Sequence, residues 1–148
     1  MLVKDILKLK GDGLLSIGPD ALLPEAVTVM VDKDVGSLVV VRGEGMVGLI
    51  TFREVLAAIK RHGGDIHDIA VKDIMVRNPV VANPDDSMDH MRAVMTDQHV
   101  RYLPIVQDKK LLGILSFHDV ARAALKLANF ENKLLKQYIK NWPEEGQS

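Results

Sequence analysis

Two seven-residue segments carry the side chains best suited to chemistry. They read Gly48-Leu49-Ile50-Thr51-Phe52-Arg53-Glu54 and Gly113-Ile114-Leu115-Ser116-Phe117-His118-Asp119. Each sets out a hydroxyl, a basic residue two positions on, and an acid one step later. Where the hydroxyl starts a helix, the free N–H groups favour a phosphate, and Arg53 or His118 adds a charge-assisted bond. The carboxylates of Glu54 and Asp119 have acceptors enough for both hydroxyls of a ribose. The same spacing also fits a capping box, in which an acid three residues on bonds back to the first residue's N–H. Capping accounts for Thr51 and Ser116. It does not call for a basic residue at 53 and 118, nor for an acid shorter than Glu at 119. The duplicated pattern favours a nucleotide site over caps alone.

Both segments sit in a longer repeat. With an offset of 65, residues 19–56 fall on 84–121 with 11 identities in 38 positions, from Pro19-Asp20 on Pro84-Asp85 to Val55 on Val120. The opening Val3-Lys4-Asp5-Ile6 recurs as Val71-Lys72-Asp73-Ile74 at an offset of 68. An ungapped match of this length marks a tandem duplication. In each copy, Pro-Asp leads into apolar residues at helical spacing: Leu23, Ala26, Val27 and Met30, then Met88, Met91, Val94 and Met95. Two β-branched runs around a polar turn follow and read as a hairpin. Pro104 argues for an edge position in its run. A second helix starts after Thr51 and after Ser116, and a short strand is expected before each Pro-Asp. The unit is therefore strand, helix, strand, strand, helix. One unit buries too little apolar surface alone, whereas two packed together form an adequate core. The chain divides into repeat 1 (1–62), a linker (63–70), repeat 2 (71–128) and a C-terminal helix extension with its tail (129–148). The long helix is expected over Val120 to Asn141, with Phe130, Leu134, Tyr138 and Trp142 on one broad stripe. Trp142-Pro143 would end it, and the polar tail Glu144 to Ser148 would be loose.

Composition narrows the function classes. The chain has 148 residues, 47% hydrophobic and 26% charged, with a net charge of -1. That is globular composition, and it lacks the positive excess of a duplex nucleic-acid binder. With no Cys, disulfides and thiolate chemistry are excluded. No apolar run is long enough to span a bilayer, so a soluble, cytoplasmic chain with no membrane partner is expected. His62, His67, His90, His99 and His118 show no ligand-like grouping, so no metal site is expected. No nucleophile turn or glycine fingerprint appears, so no catalytic residue is assigned. Lys4, Lys8 and Lys10 read as a solvated face.

The ordered set Val-Gly-Ser-Leu-Val-Val-Val, Gly-Leu-Ile-Thr-Phe-Arg-Glu, Val-Lys-Asp-Ile-Met and Arg-Tyr-Leu-Pro-Ile-Val resembles a pair of CBS domains, a Bateman module of the stand-alone type. The resemblance covers nearly the whole chain. It implies a mixed α/β (α+β) fold of two repeats packed about a pseudo-twofold axis, with an extended C-terminal helix. It also implies a non-catalytic regulatory module whose two clefts bind AMP, ADP, ATP or NAD and signal to a regulated protein by a change of shape. Carried over residue by residue, Ser116, His118 and Asp119 would form one site, and Thr51, Arg53 and Glu54 the other. Ile17, Val81, Ser37, Arg101 and Tyr102 would flank base and phosphates. Glu54 departs from the family's more usual Asp. A homodimer through the helices is expected by the same resemblance. The alternatives are a scaffold whose clefts stay empty and a phosphoryl-transfer enzyme. Arg53 is permanently charged and forked, whereas His118 is largely neutral at pH 7. Ligands with more phosphates are therefore expected to favour the first cleft, and a monophosphate the second.

Overall fold

The computed structural model of the chain describes residues 1–11 and 13–141. Helix α1 (Val3–Lys10) comes first, then strand β1 (Ser16–Ile17), helix α2 (Leu23–Asp32), the hairpin β2 (Ser37–Arg42) and β3 (Gly45–Thr51), and helix α3 (Phe52–Arg61). The second half runs through the short helix α4 (Val71–Ile74), helix α5 (Met88–Asp97), the hairpin β4 (Tyr102–Gln107) and β5 (Lys110–Ser116), and helix α6 (Phe117–Lys140). This is the mixed α/β pair of repeats that the duplication implies. The hairpins match in register, with Ser37 opposite Thr51 and Tyr102 opposite Ser116. Each has its irregularity at the same place, after Val40 and after Ile105.

The strand expected before the second Pro-Asp is reduced to one residue. In repeat 1, β1 lies parallel to β2, and the Val39 N–H donates to the Leu15 carbonyl at 3.2 Å. The residue matching Val39 is Pro104, which has no N–H to give. What remains is a bridge at Ala82, whose N–H donates to the Pro104 carbonyl while its carbonyl accepts from the Val106 N–H. One imino acid shortens the ladder.

The segments Val-Lys-Asp-Ile do not dock on the repeats they precede. The Lys4 N–H donates to the Pro84 carbonyl and the Val3 N–H to that of Asp86, each at 2.9 Å. In the matching bonds, the Lys72 N–H donates to the Pro19 carbonyl and the Val71 N–H to that of Ala21. The cores follow the crossing. Val3 and Ile6 are buried with Met88, Met91, Met95, Leu103, Leu115 and Val120. Val71 and Met75 are buried with Leu23, Ala26, Leu38, Ile50 and Val55. Each core thus takes its helix from across the chain.

Matched glycines make room for the crossing segments. A Cβ on Gly113 would lie 2.9 Å from Leu7 Cδ2. On Gly48 it would lie 2.6 Å from Met75 Sδ and 2.9 Å from the Val76 carbonyl oxygen. That carbonyl accepts from the Leu49 N–H at 2.9 Å and is fixed in place. A leucine tip can turn aside; a bonded backbone cannot. Gly48→Ala should therefore destabilise the fold by about 1–3 kcal/mol through overpacking, and Gly113→Ala by clearly less. Urea unfolding of the two variants checks the order, and equal losses would contradict it.

At the far end, α6 buries Val120 and Ala123 and then runs past the core. Leu125, Phe130, Leu134, Leu135, Tyr138 and Ile139 stand exposed along it. Trp142, the Trp142-Pro143 stop and the polar tail fall outside the described residues.

Candidate functional site

Both hydroxyls are N-caps. Ser116 Oγ accepts the Asp119 N–H at 3.0 Å, and Asp119 Oδ2 accepts the Ser116 N–H at 2.8 Å. In the first copy, Thr51 Oγ1 accepts the Arg53 N–H at 3.2 Å. Glu54 Oε1 accepts both the Thr51 N–H at 2.9 Å and the Thr51 hydroxyl at 2.8 Å. Capping therefore engages one oxygen of each acid. The other oxygen, Asp119 Oδ1 or Glu54 Oε2, makes no hydrogen bond among the described residues. Arg53 and His118 are exposed, and neither side chain enters an ion pair or hydrogen bond among the described residues. The basic residues that capping does not require are left open to solvent.

The start of each middle strand lies beside a motif. The Phe52 N–H donates to the Gly36 carbonyl at 3.0 Å, and the Phe117 N–H to the Arg101 carbonyl at 2.8 Å. The Tyr102 and Phe52 rings then meet edge to face, with centroids 6.4 Å apart. The Arg101 guanidinium lies 5.7 Å from the Phe52 ring centre. A Cβ on Gly36 would collide with the Tyr102 hydroxyl. Thus Arg101 and Tyr102 of repeat 2 border the first motif, with Ser37 buried next to it. Burial raises the Tyr102 phenol above its ordinary value of 10.0; the Asp119 charge adds to this and Arg101 opposes it. Ile17 is buried in the first core, whereas Val81 is exposed beside the Ala82 bridge.

Sequence reasoning missed Lys10. It reads as solvated surface, yet its ammonium donates to the Ile114 carbonyl at 2.7 Å and pairs with Asp119 Oδ2 at 2.9 Å. Lys4 likewise pairs with Asp85, at 3.4 Å and in an exposed setting. The signal was the helical spacing. Lys10 follows Val3 by seven and Ile6 by four, so it stands on the same side of α1 as those two buried residues, although it is itself exposed. The first motif has no such partner: no ion pair reaches Glu54 among the described residues.

A surface hollow of ≈ 460 Å³ lies by Arg61, His62, Asp65, His67 and Asp73 and contains no motif residue. Another, ≈ 20 Å³, lies between α1 and α6 beside Lys10 and Asp119. Small-molecule pockets are roughly 300–1,000 Å³, so the larger hollow has the size of one without the motif chemistry, and the smaller has a motif residue without the size. His67 bridges Asp65 and Asp68 on the exposed linker, and both acids contribute to raising its pKa, the Asp65 hydrogen bond most. Among the described residues, no group of three or more His, Asp or Glu is arranged to hold a metal ion. No helix among them is long and apolar enough to cross a membrane.

The CBS domain profile matches residues 3–61 and 71–126. From Arabidopsis thaliana, "CBS domain-containing protein CBSX3, mitochondrial" is 33% identical over 146 residues, covering 93% of this chain and 71% of that protein. The structure of CBSX2 in complex with AMP is 25% identical with a TM-score of 0.72, covering 86% of this chain and 98% of that one. The CBS domain pair of protein MJ0100, in complex with 5'-methylthioadenosine and S-adenosyl-L-methionine, is 25% identical with a TM-score of 0.73. It covers 83% of this chain and 94% of that one.

Burial alone would raise the Asp119 carboxyl, but the Ser116 N–H and the Lys10 ammonium outweigh it and hold the group below its ordinary 3.8. A folded value below the unfolded one means that the ionised carboxylate stabilises the fold. That contribution is complete above pH 3.8 and is lost as pH falls through the depressed value. The stability advantage of wild type over Asp119→Asn should therefore hold steady down to about pH 5 and shrink towards about pH 3. Urea midpoints across that range test it, and an advantage that grows in acid would refute it.

Proposed function

The chain belongs to the CBS domain family, and on that footing we propose that it is a non-catalytic regulatory module that binds an adenosine-containing ligand between its repeats. The observation that carries this is the doubled motif itself. Each copy keeps one carboxylate oxygen free of the cap and an exposed basic side chain free of ion pairs among the described residues. The ligands held by the two structural neighbours support the reading. AMP, 5'-methylthioadenosine and S-adenosyl-L-methionine share adenine and a ribose diol, and only AMP carries a phosphate. The common chemistry is the one a carboxylate recognises.

In this reading Asp119 and Glu54 accept from ribose hydroxyls. Ser116 with His118, and Thr51 with Arg53, face phosphate where the ligand has one. Tyr102, Arg101, Ser37, Ile17 and Val81 flank the base and phosphates. AMP, ADP, ATP and NAD all present the required groups. Arg53, with its forked guanidinium, suits the more highly phosphorylated of them. Occupancy can reach a regulated protein only if the ligand distinguishes two shapes of the module.

AMP at a hundredfold excess over its dissociation constant should stabilise the protein by about 2.7 kcal/mol. Asp119→Ala should remove most of that gain while weakening the free fold by only about 1 kcal/mol, the cost of a lost cap. Thermal unfolding with and without AMP measures both, and an undiminished gain in the variant would sink the ribose assignment.

The module is also proposed to be a homodimer. Phe130, Leu134, Leu135, Tyr138 and Ile139 are each at least half exposed on α6. A stripe of that size is unusual on a free monomer, and a twofold pair is the commonest way to cover it. Light scattering at tens of micromolar should give twice the 16.4 kDa chain mass. Scattering at the single-chain mass counts against the pairing.

A further inference from the structure

We infer that Lys10 is a built-in occupant of the second cleft: its ammonium holds one of the two carboxylate oxygens of Asp119, so a ribose diol that grips both oxygens binds there only by displacing it. The inference rests on the assignment of Asp119 to ribose and adds what regulates that site.

Asp119 Oδ2 already takes two bonds, from the Ser116 N–H at 2.8 Å and from Lys10 Nζ at 2.9 Å. A carboxylate oxygen has two lone pairs in its plane, so Oδ2 is full. Oδ1 makes no hydrogen bond among the described residues, but a diol held with one hydroxyl on each carboxylate oxygen needs a lone pair on Oδ2 as well. The Ser116 N–H belongs to the first turn of α6 and cannot leave without undoing the cap. Lys10 can leave, since its four-carbon stem turns without moving the backbone.

The contact is built by the crossing of α1 and is specific to one repeat. Ile114 and Leu49 occupy matching positions. The Leu49 carbonyl is satisfied by the Val76 N–H at 2.8 Å, which follows the short α4 in extended chain. The Ile114 carbonyl is satisfied by Lys10 Nζ instead, because α1 continues as helix to that residue. The residue matching Lys10 is Asn78, next to Pro79, beyond the end of α4. Among the described residues, the second site therefore carries a resident cation and the first does not. In this conformation the space beside Asp119 on the α1 side is ≈ 20 Å³, too small for a nucleoside.

Adenosine is the probe, because without a phosphate it offers a displaced lysine nothing in return. Amide resonances of Ser116 and Asp119 report the second cleft, and those of Thr51 and Glu54 the first. At the second cleft, Lys10→Met should bind adenosine roughly three- to tenfold more tightly than wild type, the range expected for removing one charge-assisted competitor. Lys10→Gln, which can still donate to the Ile114 carbonyl, should show the same direction and guards against a folding defect in the first variant. Lys8→Met, on the exposed side of α1, should match wild type. If wild type binds and both Lys10 variants bind equally or more weakly, the inference is overturned while the ribose assignment stands. If adenosine and AMP move the Ser116 and Asp119 amides in no variant, the ribose assignment falls and takes this inference with it.

Discussion

Each Val-Lys-Asp-Ile segment is hydrogen-bonded through its backbone to the Pro-Asp turn of the opposite repeat, and nearly every other feature depends on that exchange. It supplies Val3 and Ile6 to one core, and Val71 and Met75 to the other. Those side chains are all but fully buried, and burying each is worth about 1.5–3 kcal/mol. The exchange also explains the two glycines that open the motifs. Gly48 and Gly113 are where β3 and β5 meet the incoming segments, so the first residue of each motif answers to packing, whatever its last residues bind.

Capping and the proposed ligand contact compete as explanations of the sequence, yet the cap uses one oxygen of each acid and leaves the other open. One oxygen of Asp119 or Glu54 closes the first turn of a helix, and that bond fixes where the other oxygen stands. The hydroxyl does the same for the N–H groups behind it. A site built this way rests on the rigid start of a helix, and loss of the acid therefore touches stability and binding together. The two copies still differ. Among the described residues, Glu54 is held by its own Thr51 alone, whereas Asp119 is held partly by a residue from the far end of the chain.

Much of this is legible in the residues. The offset of 65 places both hairpins and the starts of α3 and α6, because hydroxyls at strand ends are strong local signals. The buried faces of α2 and α5 follow from the spacing of Leu23, Ala26 and Met30 and of Met88, Met91 and Met95. Periodicity, however, tells which face is buried and not against what. Nothing within Val3-Lys4-Asp5-Ile6 says that its partner is Pro84 and not Pro19, so the crossing is invisible to a local reading. Lys10 stands exposed, as its charge argues, and what escapes is its pairing with Asp119, which nothing local to α1 announces. The strand missing before Pro84 could have been read from Pro104, whose absent N–H faces the side where the ladder should grow. Its effect falls on a neighbour some twenty residues away, and that neighbour's own sequence, Val80-Val81-Ala82, suits a strand.

The crossing also bears on what a half-length version of this chain would have to do. With one unit alone, the leading helix would have no core of its own to enter, and its own core would lack a helix. Two such chains could close both cores by trading their leading helices. The tandem chain performs that trade within one molecule, so an encounter between chains becomes the closing of a loop. Dilution would pull the traded pair apart; it leaves the tandem chain whole.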